Sequence, residues 1–163
     1  MLIRFGLLSF LSKDAIKRAA YFPPMIRAEK VAFAIYQLAT AAILIYMFFL
    51  KIQTNPSFLF YTGIALYGIG LLLLTLSIVN FSAPTNKGIN LQGLYRLSRN
   101  PMYIAYFICC AGCAALTRSL ILLGFVLIFQ ISAHWMILAE ERWCMEQFGP
   151  EYLQYMKKTR RYM

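Results

Sequence analysis

Four long apolar runs dominate this chain of 163 residues, at positions 31–50, 57–81, 101–117 and 119–138. A helix needs about 20 apolar residues to cross the hydrocarbon core of a bilayer, and the run at 101–117 lies near the lower limit. Hydrophobic residues make up 61% of the chain, which is more than a soluble domain of this size would bury. The sequence therefore predicts an all-α integral membrane bundle with four transmembrane helices.

The first 30 residues are predicted to form a separate arm on the membrane surface. The run at 2–11 is too short to span the bilayer alone, and residues 13–21 are basic on one side. This pattern is typical of an interfacial amphipathic helix, which we expect to end at Pro23-Pro24. A fifth, short or tilted span over 2–11 is the alternative. No small-residue cleavage site follows, so we do not expect a secretory signal.

The basic residues predict the orientation in the membrane. Of the 16 Lys and Arg residues, 14 lie in the arm, in the loop at 82–100 or after the fourth run, and only Lys51 and Arg118 lie opposite. The positive-inside rule places both termini and the loop in the cytoplasm, and we expect a multi-pass protein of a bacterial inner membrane. Anionic lipid headgroups account for the net charge of +10. Aromatic residues are not interleaved with the basic ones, so no nucleic-acid binding is expected.

A cytosolic helical extension is predicted after the fourth span. Residues 139–148 should leave the bilayer as a helix, which Gly149 ends, and Pro150 should begin the next helix. At the opposite end, the very tight turn at Arg118-Ser119 should make the third and fourth spans an antiparallel hairpin.

The hairpin geometry predicts one composite pocket, because the inner ends of the two spans would lie side by side. Residues 99–103 would then lie close to Glu140 and Glu141. Asn100-Pro101 has the pattern of an N-cap followed by proline at the first helical position. The exposed N–H groups of this helix start, with Arg99 beside them, suit an anionic ligand. The alternative is a well-capped helix with an arginine that extends to the interface.

The ionisable residues near the predicted pocket offer acid–base chemistry. Glu140 and Glu141 lie at a membrane boundary, where acids usually pair or function, although they could also be solvated carboxylates at a helix exit. His134 is the single histidine and shares a helix face with Glu141 at a spacing of seven residues. The carboxylate pair could favour a cationic ligand or take a proton from an amine or thiol nucleophile. His134 could be a functional ionisable group or a neutral imidazole bonded to a neighbouring helix.

Small residues inside the apolar runs are interpreted as packing residues. The second run contains three glycines that should permit close helix packing: Gly63, Gly68 and Gly70. The cysteines are interpreted as free thiols rather than metal ligands or disulfides, and no metal site is expected: Cys109, Cys110, Cys113 and Cys144.

The motifs flanking the predicted hairpin resemble the isoprenylcysteine carboxyl methyltransferase and phospholipid methyltransferase superfamily. The matching motifs are Gly93-Leu94-Tyr95, Arg99-Asn100-Pro101-Met102-Tyr103, Glu140-Glu141 and Phe148-Gly149-Pro150-Glu151-Tyr152-Leu153-Gln154-Tyr155, followed by a basic end. The resemblance covers residues 87–163, within a membrane domain at 31–163. It implies S-adenosylmethionine as the cofactor, bound from the cytosolic side, with a lipophilic small molecule or lipid in the membrane as methyl acceptor.

The resemblance also implies which residues form the site. By the pattern of the family, the cofactor is held by Lys87, Gly88, Ile89, Asn90, Tyr95, Asn100, Pro101, Met102 and Tyr103, with Glu140 closing on it. The helix-start argument adds Arg99 as a partner for the cofactor carboxylate. Glu141 and His134 are the candidates for a catalytic base.

One departure from the family pattern leaves the acceptor open. Carboxyl methyltransferases of the family have an arginine one turn before the first glutamate, and this chain has Met136 there. An amine or another lipophilic acceptor is therefore favoured over a prenylcysteine carboxylate. The alternatives are an NADPH-dependent membrane sterol or steroid reductase, and a non-catalytic membrane protein that kept the fold.

Substituting Glu140 by glutamine tests the cofactor assignment. We expect Glu140→Gln to weaken S-adenosylmethionine binding more than it lowers stability, because the carboxylate is assigned to the cofactor rather than to the fold. Calorimetric binding and thermal unfolding of the same preparation measure the two effects. Equal cofactor affinity in variant and parent would contradict the assignment.

Overall fold

A computed structural model describes residues 6, 8, 9, 16, 17, 21, 23–26, 28–83 and 89–162 of the chain. The described residues form five α-helices and contain no β-strand longer than an isolated bridge. The helices are α1 (Ala28–Met47), α2 (Phe58–Ser82), α3 (Pro101–Thr117), α4 (Leu120–Phe148) and α5 (Pro150–Lys158), and a 3-10 helix at Gly93–Arg96 precedes α3. The prediction of an all-helical fold is confirmed for the described residues.

Three of the predicted spans are long and apolar enough to cross a membrane, namely α1, α2 and α4. Helix α3, the predicted third span, is apolar but has only 17 residues, so its crossing of the membrane stays a prediction. The run at 2–11 and most of the predicted arm lie outside the described residues.

The fourth span and its predicted extension form one continuous helix, α4, of 29 residues. It ends at Gly149, whose N–H donates to the carbonyl of Met145 at 3.0 Å. Gly149 has φ 52°, a conformation that side chains disfavour, which explains why a glycine stands at this point. Pro150 then begins α5, as the sequence predicted.

The chain forms two compact units, to both of which α2 and α4 contribute. The first consists of the described residues of Met1–Pro24, Leu73–Met102 and Glu140–Met163. In this unit the end of the arm contacts the extension of α4. Arg142 donates to the carbonyl of Pro24 at 2.9 Å, and the rings of Tyr21 and Trp143 are 4.9 Å apart.

The second unit consists of Met25–Leu72 and Tyr103–Ala139. Aromatic contacts join α1 to α4 in this unit: Tyr36 stacks on Phe129 with ring centroids 5.0 Å apart, and Tyr46 meets Phe125 edge-on at 5.9 Å. The turn between α3 and α4 is as tight as predicted, and Arg118 adopts a positive φ of 51° there.

Glycines allow α2 and α3 to approach each other closely within the second unit. A Cβ atom added at Gly70 would lie 2.5 Å from the backbone nitrogen of Cys109, and one at Gly112 would lie 2.5 Å from that of Tyr67. Gly63 has the same role against Leu116, at 2.8 Å. The prediction of packing glycines is thus confirmed at two of three positions. It was wrong for Gly68, because that position faces open space.

Gly68 and Gly70 of α2 form a matched pair for a stability test. Alanine at Gly70 would push against the backbone of α3, so we expect Gly70→Ala to lower stability by about 1–3 kcal/mol, the usual cost of overpacking. Gly68→Ala gains helix propensity without a clash and should be neutral or stabilising. Thermal unfolding in detergent measures both variants, and equal effects would contradict the assigned contact.

Candidate functional site

The side chain of Glu141 is the centre of a buried ion-pair cluster in the first unit. Glu141 is 3% exposed, and its Oε2 accepts hydrogen bonds from Nε and Nη2 of Arg161 at 3.0 and 2.8 Å. Its Oε1 lies 3.1 Å from Nη2 of Arg99. A buried carboxylate is tolerated only when it is paired, and these contacts supply the pairing. We refer to Arg99, Glu141 and Arg161 as the Glu141 cluster.

Three different elements contribute to the Glu141 cluster. Glu141 lies on the extension of α4, Arg99 lies two residues before the start of α3, and Arg161 lies beyond the end of α5. The ion pair between Arg99 and Glu141 confirms that the residues before α3 lie beside the predicted exit of the fourth span. The participation of Arg161 was not predicted.

The C-terminal segment, residues 159–162, lies along the chain that leads into α3. Ser98 and Arg160 form an isolated parallel bridge, and the N–H of Arg99 donates to the carbonyl of Arg160 at 3.0 Å. The carbonyl of Arg161 accepts from the Ser98 hydroxyl at 3.2 Å and from the Asn100 amide at 3.3 Å. The residues before α3 are therefore held by both backbone and side-chain hydrogen bonds to this segment.

The Ser98 hydroxyl links these contacts to the start of α3. Ser98 is fully buried, and its oxygen accepts a hydrogen bond from the N–H of Asn100 at 3.1 Å while the hydroxyl donates to Arg161. Asn100 is also buried, and Pro101 follows it as the first residue of α3. The predicted helix start at Pro101 is confirmed.

The two tyrosines of α5 face the interior of the same unit. Tyr155 donates its hydroxyl to the carbonyl of Tyr95 at 2.6 Å, and Tyr152, Tyr155 and Ile89 form a buried cluster. Burial raises the pKa of both tyrosines, although the nearby Arg99 guanidinium opposes the increase. Both hydroxyls therefore stay protonated at neutral pH, and Tyr155 can act as a donor.

The structure also explains why a glycine stands at position 93, in the motif Gly93-Leu94-Tyr95. Gly93 has φ 57°, and a Cβ atom there would overlap the side-chain amide of Asn80. Both the backbone conformation and the close approach require glycine. The 3-10 helix at Gly93–Arg96 is thereby brought against the end of α2.

Three buried polar atoms of this unit have no hydrogen-bond partner within the described part of the chain: Oδ1 of Asn90, Nε of Arg99 and Oε1 of Glu141. Oε1 is nevertheless ion-paired with Nη2 of Arg99 at 3.1 Å, which leaves Oδ1 of Asn90 and Nε of Arg99 as the atoms without any partner in the described ranges. The Arg99 side chain is only 7% exposed. Buried polar atoms normally have partners, so these atoms are candidates for ligand contacts.

The charges of the Glu141 cluster favour an anionic ligand. Two guanidinium groups surround one carboxylate, which leaves one positive charge in excess, and Arg99 retains a free buried N–H donor. Guanidinium groups bind carboxylate and phosphate oxygens through charge-assisted hydrogen bonds. The carboxylate of an amino-acid cofactor fits this donor set.

The other predicted site residues occupy different environments. Lys87 and Gly88 lie outside the described residues, and the side chain of Ile89 packs in the tyrosine cluster. Pro101 and Met102 are buried at the start of α3, and Glu140 is half-buried. Tyr103 and His134 belong to the second unit.

Sequence reasoning missed Ser98 and Arg161. The available signal was the basic end that follows the tyrosine motif, but four basic residues stand within five positions there: Lys157, Lys158, Arg160 and Arg161. The sequence does not distinguish among them, because only the turn after α5 decides which side chain points towards Glu141.

A family model, described as phospholipid methyltransferase, matches residues 58–151, which is more than half of the chain. The chain belongs to this family. The match begins at the first residue of α2 and includes Arg99, Glu140 and Glu141, but it ends before Tyr152. Searches of curated proteins and of solved structures found no match. The resemblance inferred from the motifs is confirmed, and the protein is a member of a family of membrane methyltransferases.

The Glu141 cluster predicts a large difference between two glutamates of α4. Glu141→Gln leaves two arginines against a neutral amide, so we expect a loss of about 3–5 kcal/mol in the free energy of unfolding, typical of a broken buried ion pair. Glu146 is exposed on the same helix, and Glu146→Gln should change stability by less than about 0.5 kcal/mol. Thermal unfolding of the two variants measures the difference, and similar losses would show that the cluster does not stabilise the fold.

Proposed function

We propose that this family member transfers the methyl group of S-adenosylmethionine to a lipophilic acceptor at the cytosolic face of a membrane. The observation that carries the proposal is the Glu141 cluster, which contains Arg99 and Glu141 of the family motifs and has an excess positive charge and an unpartnered Arg99 N–H. Members of a membrane methyltransferase family generally use this cofactor, and the donor set fits its carboxylate.

The cofactor carboxylate is assigned to Arg99 and the start of α3. A helix start presents unpaired N–H groups and the positive end of the helix dipole, which add to the guanidinium charge. Glu140, which lies on α4, is proposed to close the site by contacting the bound cofactor. The remaining cofactor contacts are proposed from the family pattern: Lys87, Gly88, Ile89, Asn90, Tyr95, Asn100, Pro101, Met102 and Tyr103.

Two of these contacts are constrained by the structure. The Ile89 side chain is buried among the tyrosines, so this residue offers only its backbone to a ligand. The Asn90 amide oxygen is buried and has no partner among the residues described, so it is suited to accept a hydrogen bond from a hydroxyl or amino group.

The proposed mechanism depends on alignment more than on acid–base chemistry. S-adenosylmethionine supplies an activated methyl group on a sulfonium, so the chain has to orient the acceptor and exclude water. Correct positioning can contribute on the order of 7–11 kcal/mol to lowering a barrier. The buried contacts of the Glu141 cluster and of the tyrosine cluster fix the positions of proposed cofactor residues, which such alignment needs.

Proton removal from the acceptor is assigned to Glu141 or His134. Both oxygens of Glu141 face guanidinium groups, so an arginine has to move before this carboxylate can take a proton. His134 lies on the same helix and is half-buried.

The acceptor is proposed to be an amine or another lipophilic group of a lipid or small molecule. Met136 stands where carboxyl methyltransferases have an arginine, so this position supplies no charge for a substrate carboxylate. The excess of basic residues on one side of the spans supports a cytosolic site and cytosolic termini.

Calorimetric titration of the purified protein in detergent tests the proposal. We expect S-adenosylmethionine and S-adenosylhomocysteine to bind with micromolar affinity and NADPH not to bind. Binding of NADPH alone would support a reductase instead. A folded protein that binds none of the three would contradict the proposed activity.

The acceptor class requires a separate measurement. With methyl-labelled S-adenosylmethionine, vesicles containing an ethanolamine phospholipid should accept label, whereas a prenylcysteine carboxylate should not. Label in the prenylcysteine alone would show that Met136 does not exclude a carboxylate substrate.

A further inference from the structure

We propose that the C-terminal segment, residues 159–162, completes the cofactor site and that Arg161 is a positioning residue for Glu141 and for the start of α3. This inference rests on the proposed function, because it assigns the segment a role in binding S-adenosylmethionine. The segment lies beyond the part of the chain that the family model matches, which ends at position 151.

Arg161 contacts both sides of the proposed site through different atoms. Its guanidinium donates two hydrogen bonds to Oε2 of Glu141, and its carbonyl accepts from the side chains of Ser98 and Asn100. One residue thus joins the extension of α4 to the residues that begin α3. A shift of Arg161 would alter both elements together.

The exposure of the three charged side chains indicates their order from the interior to the surface. The Arg99 and Glu141 side chains are 7% and 4% exposed, and the Arg161 side chain is 32% exposed. Arg99 is therefore the inner cation, and it has a free N–H for a ligand. Arg161 is the outer cation, and it holds the Glu141 carboxylate between the two guanidinium groups. Hydrogen bonding to Glu141 also raises the pKa of Arg161, so this guanidinium remains charged.

The bridge between Ser98 and Arg160 fixes the register of this arrangement. The Arg99 N–H donates to the Arg160 carbonyl, and the Thr159 N–H donates to the carbonyl of Tyr155 at the end of α5. The segment is therefore anchored at α5 on one side and at Arg99 on the other. These backbone bonds set the register of the segment, and the two hydrogen bonds from the Arg161 side chain to Glu141 hold the segment against α4.

Arg161→Ala is the direct test, with Lys158→Ala as the matched control. Lys158 is exposed at the end of α5, so its removal deletes the same charge without touching the Glu141 cluster. We expect Arg161→Ala to weaken S-adenosylhomocysteine binding at least about tenfold, the equivalent of one charge-assisted hydrogen bond. Lys158→Ala should bind as the parent does. Equal affinity of Arg161→Ala and the parent would overturn the proposal.

A double-mutant cycle separates positioning from general loss of structure. If Arg161 acts through Glu141, then Arg161→Ala should have little further effect on affinity once Glu141→Gln is present, since interacting residues are non-additive. Additive effects of the two substitutions on affinity would show that Arg161 does not act through Glu141, which would overturn the proposal. Arg161→Lys should recover part of the affinity, because lysine restores the charge but not both donors, and this variant serves if Glu141→Gln does not fold.

Hydrogen exchange distinguishes failure of this inference from failure of the proposed function. The Arg99 N–H, bonded to Arg160, should exchange slowly in the parent and faster in Arg161→Ala, with or without cofactor. A parent that binds neither S-adenosylmethionine nor S-adenosylhomocysteine would refute the proposed function and the cofactor role of the segment. Unchanged Arg99 exchange in Arg161→Ala, together with normal binding by the parent, would refute this inference alone.

Discussion

The burial of one carboxylate is the constraint on which the first unit depends. Removing Glu141 from water has a large desolvation cost, and that cost is offset only if positive partners approach from separate parts of the chain. Arg99 lies just before α3 and Arg161 lies just after α5, so the ion pairs join three segments that are distant in sequence. The same contacts leave a positive charge in excess and a free N–H on Arg99. The interaction that stabilises this unit therefore also prepares it for an anionic ligand.

Aromatic packing and hydrogen bonding reinforce this arrangement from the side of α5. Tyr155 contributes both, because its ring packs against Tyr152 and Ile89 and its hydroxyl donates to the Tyr95 carbonyl. The tyrosine motif of the family thus has a structural explanation. Its spacing of three residues places both rings on one face of a short helix, and the exposed Lys157 lies on the opposite face.

The fold could be predicted well where one local pattern determines the structure. The apolar runs predicted α1, α2 and α4 as spans because length and composition suffice to identify a membrane helix. The boundary at Gly149-Pro150 was also predictable, since both residues have strong backbone preferences. Gly68 shows the limit of such reasoning. It has the same composition signal as Gly70, but only the neighbouring helix decides which glycine is in contact.

The sequence by itself determined the helical class, the family and the proximity of Arg99 to Glu141, because these follow from apolar length, motif order and a tight turn. Only the tertiary structure decided that Arg161, among four basic residues near the C-terminus, binds Glu141. It also decided that the residues before α3 are held by the backbone of the C-terminal segment. The physical reason is that ion pairs and bridges between distant segments depend on where the turn after α5 directs the chain, and no local propensity encodes that direction.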